Sequence, residues 1–382
     1  MSMSDEARGS APRRYKKNKV KKSFKESFFP QKGDSSSEVI SKLIVLLSIV
    51  VLIVCAIILG NYFYQMYEAK QNHNTLKVIY QKAQQSVISN ELPAETQPAE
   101  NVETTPEERI PLPILPAAQE LLAINPNTIG YVRIPNCVDE PVVKGTDNEY
   151  YLNHNFYDNQ RQCGTCFADY RNVATDYERS DNIILYAHNQ KDGTMFGNLD
   201  YYRWDPAYWL KNPFIYFNTN YSEDTYVIIS SFVINTKPEH DDNRPLFDYQ
   251  NYIDFNDDYP YEKFMDEITK RSTIITGVDC NEDDEYLTLS TCSTEWDDSR
   301  HILVARKLRD GETADSIDTT KFSKNPNPKW PAIYYKYNGG TYIEEQMESI
   351  LMQLGEKDEL IVSVDGATDG SEPLLLKLAD MD

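Results

Sequence analysis

The chain has 382 residues, a formal net charge of −22 and 12% aromatic residues, Tyr above all; that aromatic content argues for a packed domain rather than a disordered acidic chain. Charge is unevenly spread: residues 1–32 carry ten Lys or Arg against Asp5, Glu6 and Glu26, a local +7 that leaves −29 for the remainder. A body so acidic is repelled by phosphate backbones, which argues against DNA or RNA as a partner.

After the basic tail (residues 1–38), Leu43 to Gly60 reads LIVLLSIVVLIVCAIILG, eighteen residues without a charge. That length crosses a bilayer as a helix, so residues 39–64 are expected to form a membrane anchor. The preceding Lys and Arg put the N-terminus in the cytoplasm and everything after the span outside. A cleaved signal peptide would have a shorter apolar core and a small-residue cleavage site, whereas here Asn61-Tyr-Phe-Tyr follows with aromatics at interfacial depth.

Residues 65–89 have helical composition and predict a stalk, and Glu91 to Pro116 (ELPAETQPAENVETTPEERIPLPILP) a flexible or extended linker. A short helix is expected over Ala117–Ile124, stopped by Asn125-Pro126. Short strands then dominate: Thr128–Ile134, Glu140–Lys144, Thr165–Asp169, Asn182–His188, Phe214–Phe217, Thr225–Val233, Ser272–Thr276, Tyr286–Cys292 and His301–Leu308. Such a run, punctuated by turns, predicts a mainly β fold closed or nearly closed into a barrel. Tyr259–Arg271 interrupts it with Tyr261, Phe264 and Ile268 at helical spacing. Past Asp310 the chain carries a second Pro-rich break (Asn325 to Pro331), then a possible helix at 342–354 and strand at 359–364. The expected main folded domain is residues 117–310, with 311–382 an extension of open role, packed on the barrel or facing a partner.

Cys292 closes the strand YLTLSTC, in which Thr288, Ser290 and Cys292 share one face, and a polar turn follows at once. A thiol there is rigidly held and reachable, as a nucleophile must be, although an arbitrary cysteine is more often a buried structural one. A nucleophilic thiol needs a proton partner. Among five histidines, His188 ends the apolar strand NIILYAH and opens a loop with Gly193 and Gly197; His154 and His301 are weaker candidates. Arg300 starts the strand after Cys292, so an antiparallel turn brings both to one sheet edge, where a guanidinium can stabilise an oxyanion. A surface ion pair with Asp297 or Asp298 is the plainer reading of Arg300, and Arg306 is the runner-up for its role.

TLSTC with Arg300 downstream, and YAHNQKDGTMFGNL (Tyr186 to Leu199), resemble the two signature blocks of class B sortases, as do EPVVKGTDNEYYLNHNF (Glu140 to Phe156) and FADYRN (Phe167 to Asn172). The resemblance covers roughly residues 117–308. It implies a closed eight-stranded sortase barrel with peripheral helices and a Cys292-His188-Arg300 site that needs no cofactor. It implies a cysteine transpeptidase that cleaves a C-terminal sorting signal, NPxTN-like or TG-ending, at a Thr carbonyl. The acyl group would pass to an amine of a peptidoglycan precursor or a pilin. By family position Asn148, Leu152, Ser290 and Thr291 would bind the signal; as a plainer alternative, Asn148 caps the turn at Asp147. A hydrolytic peptidase of the same fold and a non-catalytic surface scaffold are the competing functions.

Cys163 and Cys166 form a C-x-x-C spacing the family does not require, without the βα unit or second ligand pair of a redox or zinc site. Five cysteines follow the apolar segment, so a disulfide is permitted, its pairing not deducible from sequence. The acidic clusters at Asp241-Asp242, Asp257-Asp258 and Glu282 to Glu285 lack EF-hand spacing and read as solvated loops.

Overall fold

A computed structural model describes residues 24–90, 111–241, 243–337, 343–353, 355, 360–362 and 375. Most of the basic tail, the linker from 91 to 110 and most of the expected strand at 359–364 lie outside these; residues 360–362 are in no regular element. The chain forms two compact units, Met1–Met66 and Tyr67–Asp382.

The first unit contains helix α1 (Phe24–Phe28) and the start of α2 (Ser36–Asn90). Ser35 and Glu38 form a reciprocal cap at the start of α2: Glu38 N–H donates to Ser35 Oγ, and Ser35 N–H to the Glu38 carboxylate. Along this helix Leu47, Leu52, Ile57 and Phe63 are exposed, a predominantly apolar surface suited to lipid. It is one helix long and apolar enough to cross a membrane, by length and composition.

In the second unit, residues 67–90 continue α2 and pack on the β-structure rather than standing free as a stalk. Leu76 and Tyr80 are buried, and Tyr80 stacks on Tyr131 with ring centroids 3.8 Å apart. Asn218 donates to the Tyr80 hydroxyl at 2.8 Å. Ion pairs Glu68–Arg161 and Lys77–Asp139 flank this contact at 2.9 and 2.6 Å. A helix with one apolar stripe lowers its free energy by burying it, which composition alone did not reveal. Helix α3 (Pro116–Leu122) opens with Pro at its first turn and buries Ala117, Ala118 and Leu121.

Eight strands close the barrel in the order β1 (Thr128–Ile134), β2 (Val138–Lys144), β3 (Phe167–Ala168), β4 (Asn182–Tyr186), β8 (Tyr286–Cys292), β9 (Ser299–Lys307), β6 (Glu223–Asn235), β5 (Phe214–Thr219) and back to β1. Inward residues such as Val132, Ile183, Leu185, Ile228, Leu289 and Leu303 are fully buried. Where β1 meets β5, a Cβ on residue 130 would strike the Asn218 carbonyl, so only Gly130 allows the approach. Two pairings are parallel, β2 with β3 and β4 with β8; the rest are antiparallel.

One expected strand does not join the barrel. Of Ser272–Thr276 only Ile274–Ile275 (β7) is extended, and it pairs with β10 (Ser323–Lys324) of the C-terminal extension. The β-branched run reads as a barrel strand, but α6 (Tyr261–Arg271) precedes it directly and β6 already has β5 and β9 as neighbours. Short helices α4 (Tyr201–Trp204) and α5 (Pro206–Lys211) follow the His188 loop. α6 buries Phe264 and Ile268 as the spacing predicted, and Ser230 Oγ donates to the Ile268 carbonyl at 2.8 Å. The extension then runs over the α6 side of the barrel: Asn325 bonds to Thr273 and Ser272, and Lys329 N–H donates to the Lys270 carbonyl. Helices α7 (Ala332–Tyr337) and α8 (Ile343–Leu351) complete the described elements.

Candidate active site

Strand direction decides where the chemistry can gather. Because β4 and β8 are parallel, both end at the same rim, and the register Tyr186↔Ser290 continues so that His188 stands level with Cys292. The continuation is hydrogen-bonded: Thr291 Oγ1 donates to the Ala187 carbonyl at 2.8 Å. β9 runs antiparallel to β8 and starts at that rim, with Arg300 directly opposite Cys292. Cys292 is exposed, and His188 and Arg300 are half-buried, so thiol, imidazole and guanidinium are open to solvent on neighbouring strands.

The imidazole is oriented by backbone. His188 Nε2 lies 2.8 Å from the Leu152 carbonyl; a carbonyl only accepts, so Nε2 carries the hydrogen and Nδ1 is left to exchange a proton. Leu152 thus meets the site through its main chain, while its side chain packs in the cluster around Tyr151 and Phe167. Arg300 Nη1 donates to the Ser299 carbonyl at 3.0 Å and has no carboxylate within ion-pair distance among the described residues. Asp298 pairs with Lys237 instead. Arg306 is 1% exposed, pairs with Glu312 and lies opposite Tyr286 at the far end of β8, a structural position. His301 is fully buried against Ser231 Oγ, and burial holds its pKa well below the ordinary histidine value. His154 stacks on Tyr150 and bonds to its carbonyl.

Three further residues frame the site without having stood out in the sequence. Asn189 Nδ2 donates to the Cys292 carbonyl at 2.9 Å and also faces the Asp200 carboxylate. Arg203, buried beneath the turn 293–299, donates to Ser293 Oγ at 2.8 Å and pairs with Asp200 and Glu295. Tyr249, in a short turn beyond β6, lies 2.7 Å from Ser290 Oγ. Burial pushes its phenol up to about 12, against the opposing pull of Ser290 and the nearby positive Arg300, so it stays a neutral hydroxyl. Asn189 sits inside the block that resembled the family; Tyr249 and Arg203 had no local signal. The loop from Asn189 turns back tightly through Gly193 (φ 79°), and a Cβ on Gly197 would collide with the Gln190 carbonyl.

The expected signal-binding residues divide. Ser290 shares the Cys292 face and is bonded to Tyr249. Thr291 departs from expectation: alternation turns it to the opposite face, where it is buried and ties β8 to the His188 strand. Asn148 spends its amide on Asp169 and on the Tyr170 N–H, while the turn at Asp147 is capped by Asp147 itself. Asp169 is buried and also takes hydrogen bonds from Tyr186 and Arg171. Burial raises its pKa, but Arg171, its own backbone contact and Asn148 together hold it below the usual value.

All six cysteines are free thiols. Cys166 is fully buried, and burial pushes its thiol well up; Cys163, less enclosed, is also raised by burial. In the acidic run near Glu282, Asp284 pairs with Arg309 and Glu285 with Lys307.

A sortase domain family model matches residues 132–308. Sortase B of Staphylococcus aureus is 30% identical over 199 residues, 51% of this chain and 75% of that protein. Sortase B of Listeria monocytogenes is 28% identical over 190 residues, 49% and 71% of the two chains. Among solved structures, a Staphylococcus aureus sortase B-substrate complex superposes with a TM-score of 0.51 at 24% identity, over 64% of this chain and 99% of that one, a likeness of fold. A crystal structure of Staphylococcus aureus sortase B gives 0.50 at 25% identity, over 63% and 98%. The closed barrel and the matched domain define a sortase fold, that of a family of cysteine transpeptidases. The chain belongs to the sortase family, in its class B.

Proposed function

We propose that this sortase cleaves a C-terminal sorting signal, NPxTN-like or TG-ending, with Cys292 as nucleophile. The observation that supports it is the parallel β4–β8 and antiparallel β8–β9 register, which puts His188 and Arg300 on either side of an exposed thiol. The Cys292 thiolate attacks the Thr carbonyl carbon, and the Arg300 guanidinium, unspent on any carboxylate among the described residues, stabilises the oxyanion. The Thr C–N bond breaks as imidazolium His188 gives its proton to the leaving amine, leaving a thioester on Cys292. An acceptor amine, of a peptidoglycan precursor or a pilin, attacks that thioester and loses its proton to neutral His188. Collapse forms the new amide and returns thiolate and imidazolium. Ser290 and Leu152 border the groove, and Asn148 belongs to its outer wall.

The long apolar helix is a single-pass anchor with the basic N-terminus in the cytoplasm and the barrel outside. Substrates are then surface proteins bearing the signal, delivered at the same membrane.

The test is turnover of fluorogenic sorting peptides by Cys292→Ala. Cleavage is expected to vanish while the circular dichroism and melting curve stay unchanged; retained turnover refutes the assignment. With an added amine, mass spectrometry should find the amide product, and free acid alone would convert the reading to a hydrolase.

A further inference from the structure

The turn between β8 and β9, residues 293–299, joins Cys292 to Arg300, and its central side chain is buried although the turn reads as polar. Trp296 is 6% exposed. It packs with Val233 of β6 and with Ile333 and Tyr334 of α7, in a small apolar cluster apart from the barrel core. The Tyr334 ring meets Trp296 edge-on at 6.4 Å and is stacked on Trp330 at 4.1 Å. The indole N–H of Trp296 has no hydrogen-bond partner among the described residues, so packing alone sets the ring.

We propose that the C-terminal segment Trp330–Tyr334 is a positioning device for the catalytic turn, seating Trp296 so that Cys292 and Arg300 keep their mutual geometry. The segment is itself anchored: Ala332 N–H donates to Asp241 Oδ1 at 2.8 Å and Lys329 N–H to the Lys270 carbonyl at 2.7 Å. From Trp296 the link to the reacting groups is short. Its carbonyl accepts from Ser299 Oγ at 2.7 Å, and Ser293 N–H donates to the Ser299 carbonyl at 3.1 Å. Ser293 and Ser299 are the neighbours of Cys292 and Arg300. On the barrel side Arg203 grips the same turn through Ser293 and Glu295, so the turn is held between a buried guanidinium and an aromatic pad supplied by the extension. An aromatic ring brings a large apolar area and few rotatable bonds, which suits a fixed support.

This inference rests on the reading of Cys292 as nucleophile, and the experiment separates the two. In the full chain, Ile333→Asp drives the pad off Trp296, and Tyr334→Ala removes its stacked ring. The expected result is a kcat for peptide cleavage about ten- to a hundredfold lower, with KM little changed. Alkylation of Cys292, read by mass spectrometry, slows, and amide hydrogen exchange accelerates in peptides spanning 293–299. Tyr334→Phe and Ile333→Leu should restore wild-type turnover. Wild-type kcat in Ile333→Asp, or unchanged exchange in the turn, overturns the proposal while leaving Cys292 as nucleophile. Unfolding of the whole barrel by Ile333→Asp overturns it too, by making the segment part of the core. Turnover retained by Cys292→Ala would instead defeat the underlying mechanism.

Discussion

Nδ1 of His73, on the long helix, stands 2.9 Å from Oε1 of Glu140 on β2, and that same buried oxygen accepts the Met195 N–H at 2.9 Å from the loop after His188. A single carboxylate therefore joins the helix to the loop that leaves the candidate imidazole. Contact with Glu140 raises the His73 pKa, against opposing burial and with help from Asp139. A raised folded-state value means the stabilisation is fully present below the unfolded pKa, about 6.5, and is lost as pH rises through the folded value. The melting temperature of His73→Ala should fall short of wild type most at about pH 6 and converge with it at alkaline pH. A gap independent of pH would count against the ion pair.

Arg300 and Arg306 lie on one strand and should fail differently. Arg300→Ala is expected to lower kcat about a hundred- to a thousandfold, and Arg300→Lys to recover part of it, since an ammonium lacks the planar fork. Glu312→Gln, which strips the partner of Arg306, should cost about 2 kcal/mol, discounted because Glu312 is partly solvated, and leave kcat unchanged. Peptide turnover beside urea melts checks both.

Tyr249→Phe leaves the buried Ser290 hydroxyl without its partner, at a cost of about 1–3 kcal/mol. Because Tyr249 lies beside Arg300, kcat/KM should fall about tenfold. Adding Ser290→Ala should cost little more, so a double-mutant cycle with strongly coupled terms is the expected result. Full additivity would show that the two hydroxyls act separately.

Asn189→Asp cannot donate to the Cys292 carbonyl and sets a second carboxylate against Asp200. It should lower kcat more than Asn189→Ala does, with KM similar in both. Steady-state kinetics of the two variants provides the comparison.

Much of this was legible in the chain. β8 and β9 alternate so regularly that Cys292 and Arg300 fall at one edge on pattern alone, and β4 ends at Tyr186, two residues short of the His188 its apolar run indicated. What stayed hidden depends on contacts far apart in sequence. Tyr249 meets Ser290 across 41 residues and Arg203 meets Ser293 across 90, and neither has a local periodicity to betray it. Thr291 and Leu152 were assigned to signal binding by family position; in the structure Thr291 faces the other side of its strand and Leu152 meets His188 through its carbonyl. Ile274 and Ile275 resemble a barrel strand because β-branching signals extension without naming the partner. Likewise the helical composition of residues 67–90 gave no hint that Tyr80 would stack on Tyr131.

The parallel pairing of β4 with β8 has a consequence for biogenesis. Asn189 and the Cys292 carbonyl it holds are 103 residues apart, and the strand bearing Arg300 must arrive later still. No early fragment of the nascent chain can assemble the reactive centre, since such distant pairings form late in folding. On the proposed mechanism, the Cys292 thiol thus stands without Arg300 opposite it until the last barrel strand has paired, and a chain cut short before β9 lacks that guanidinium.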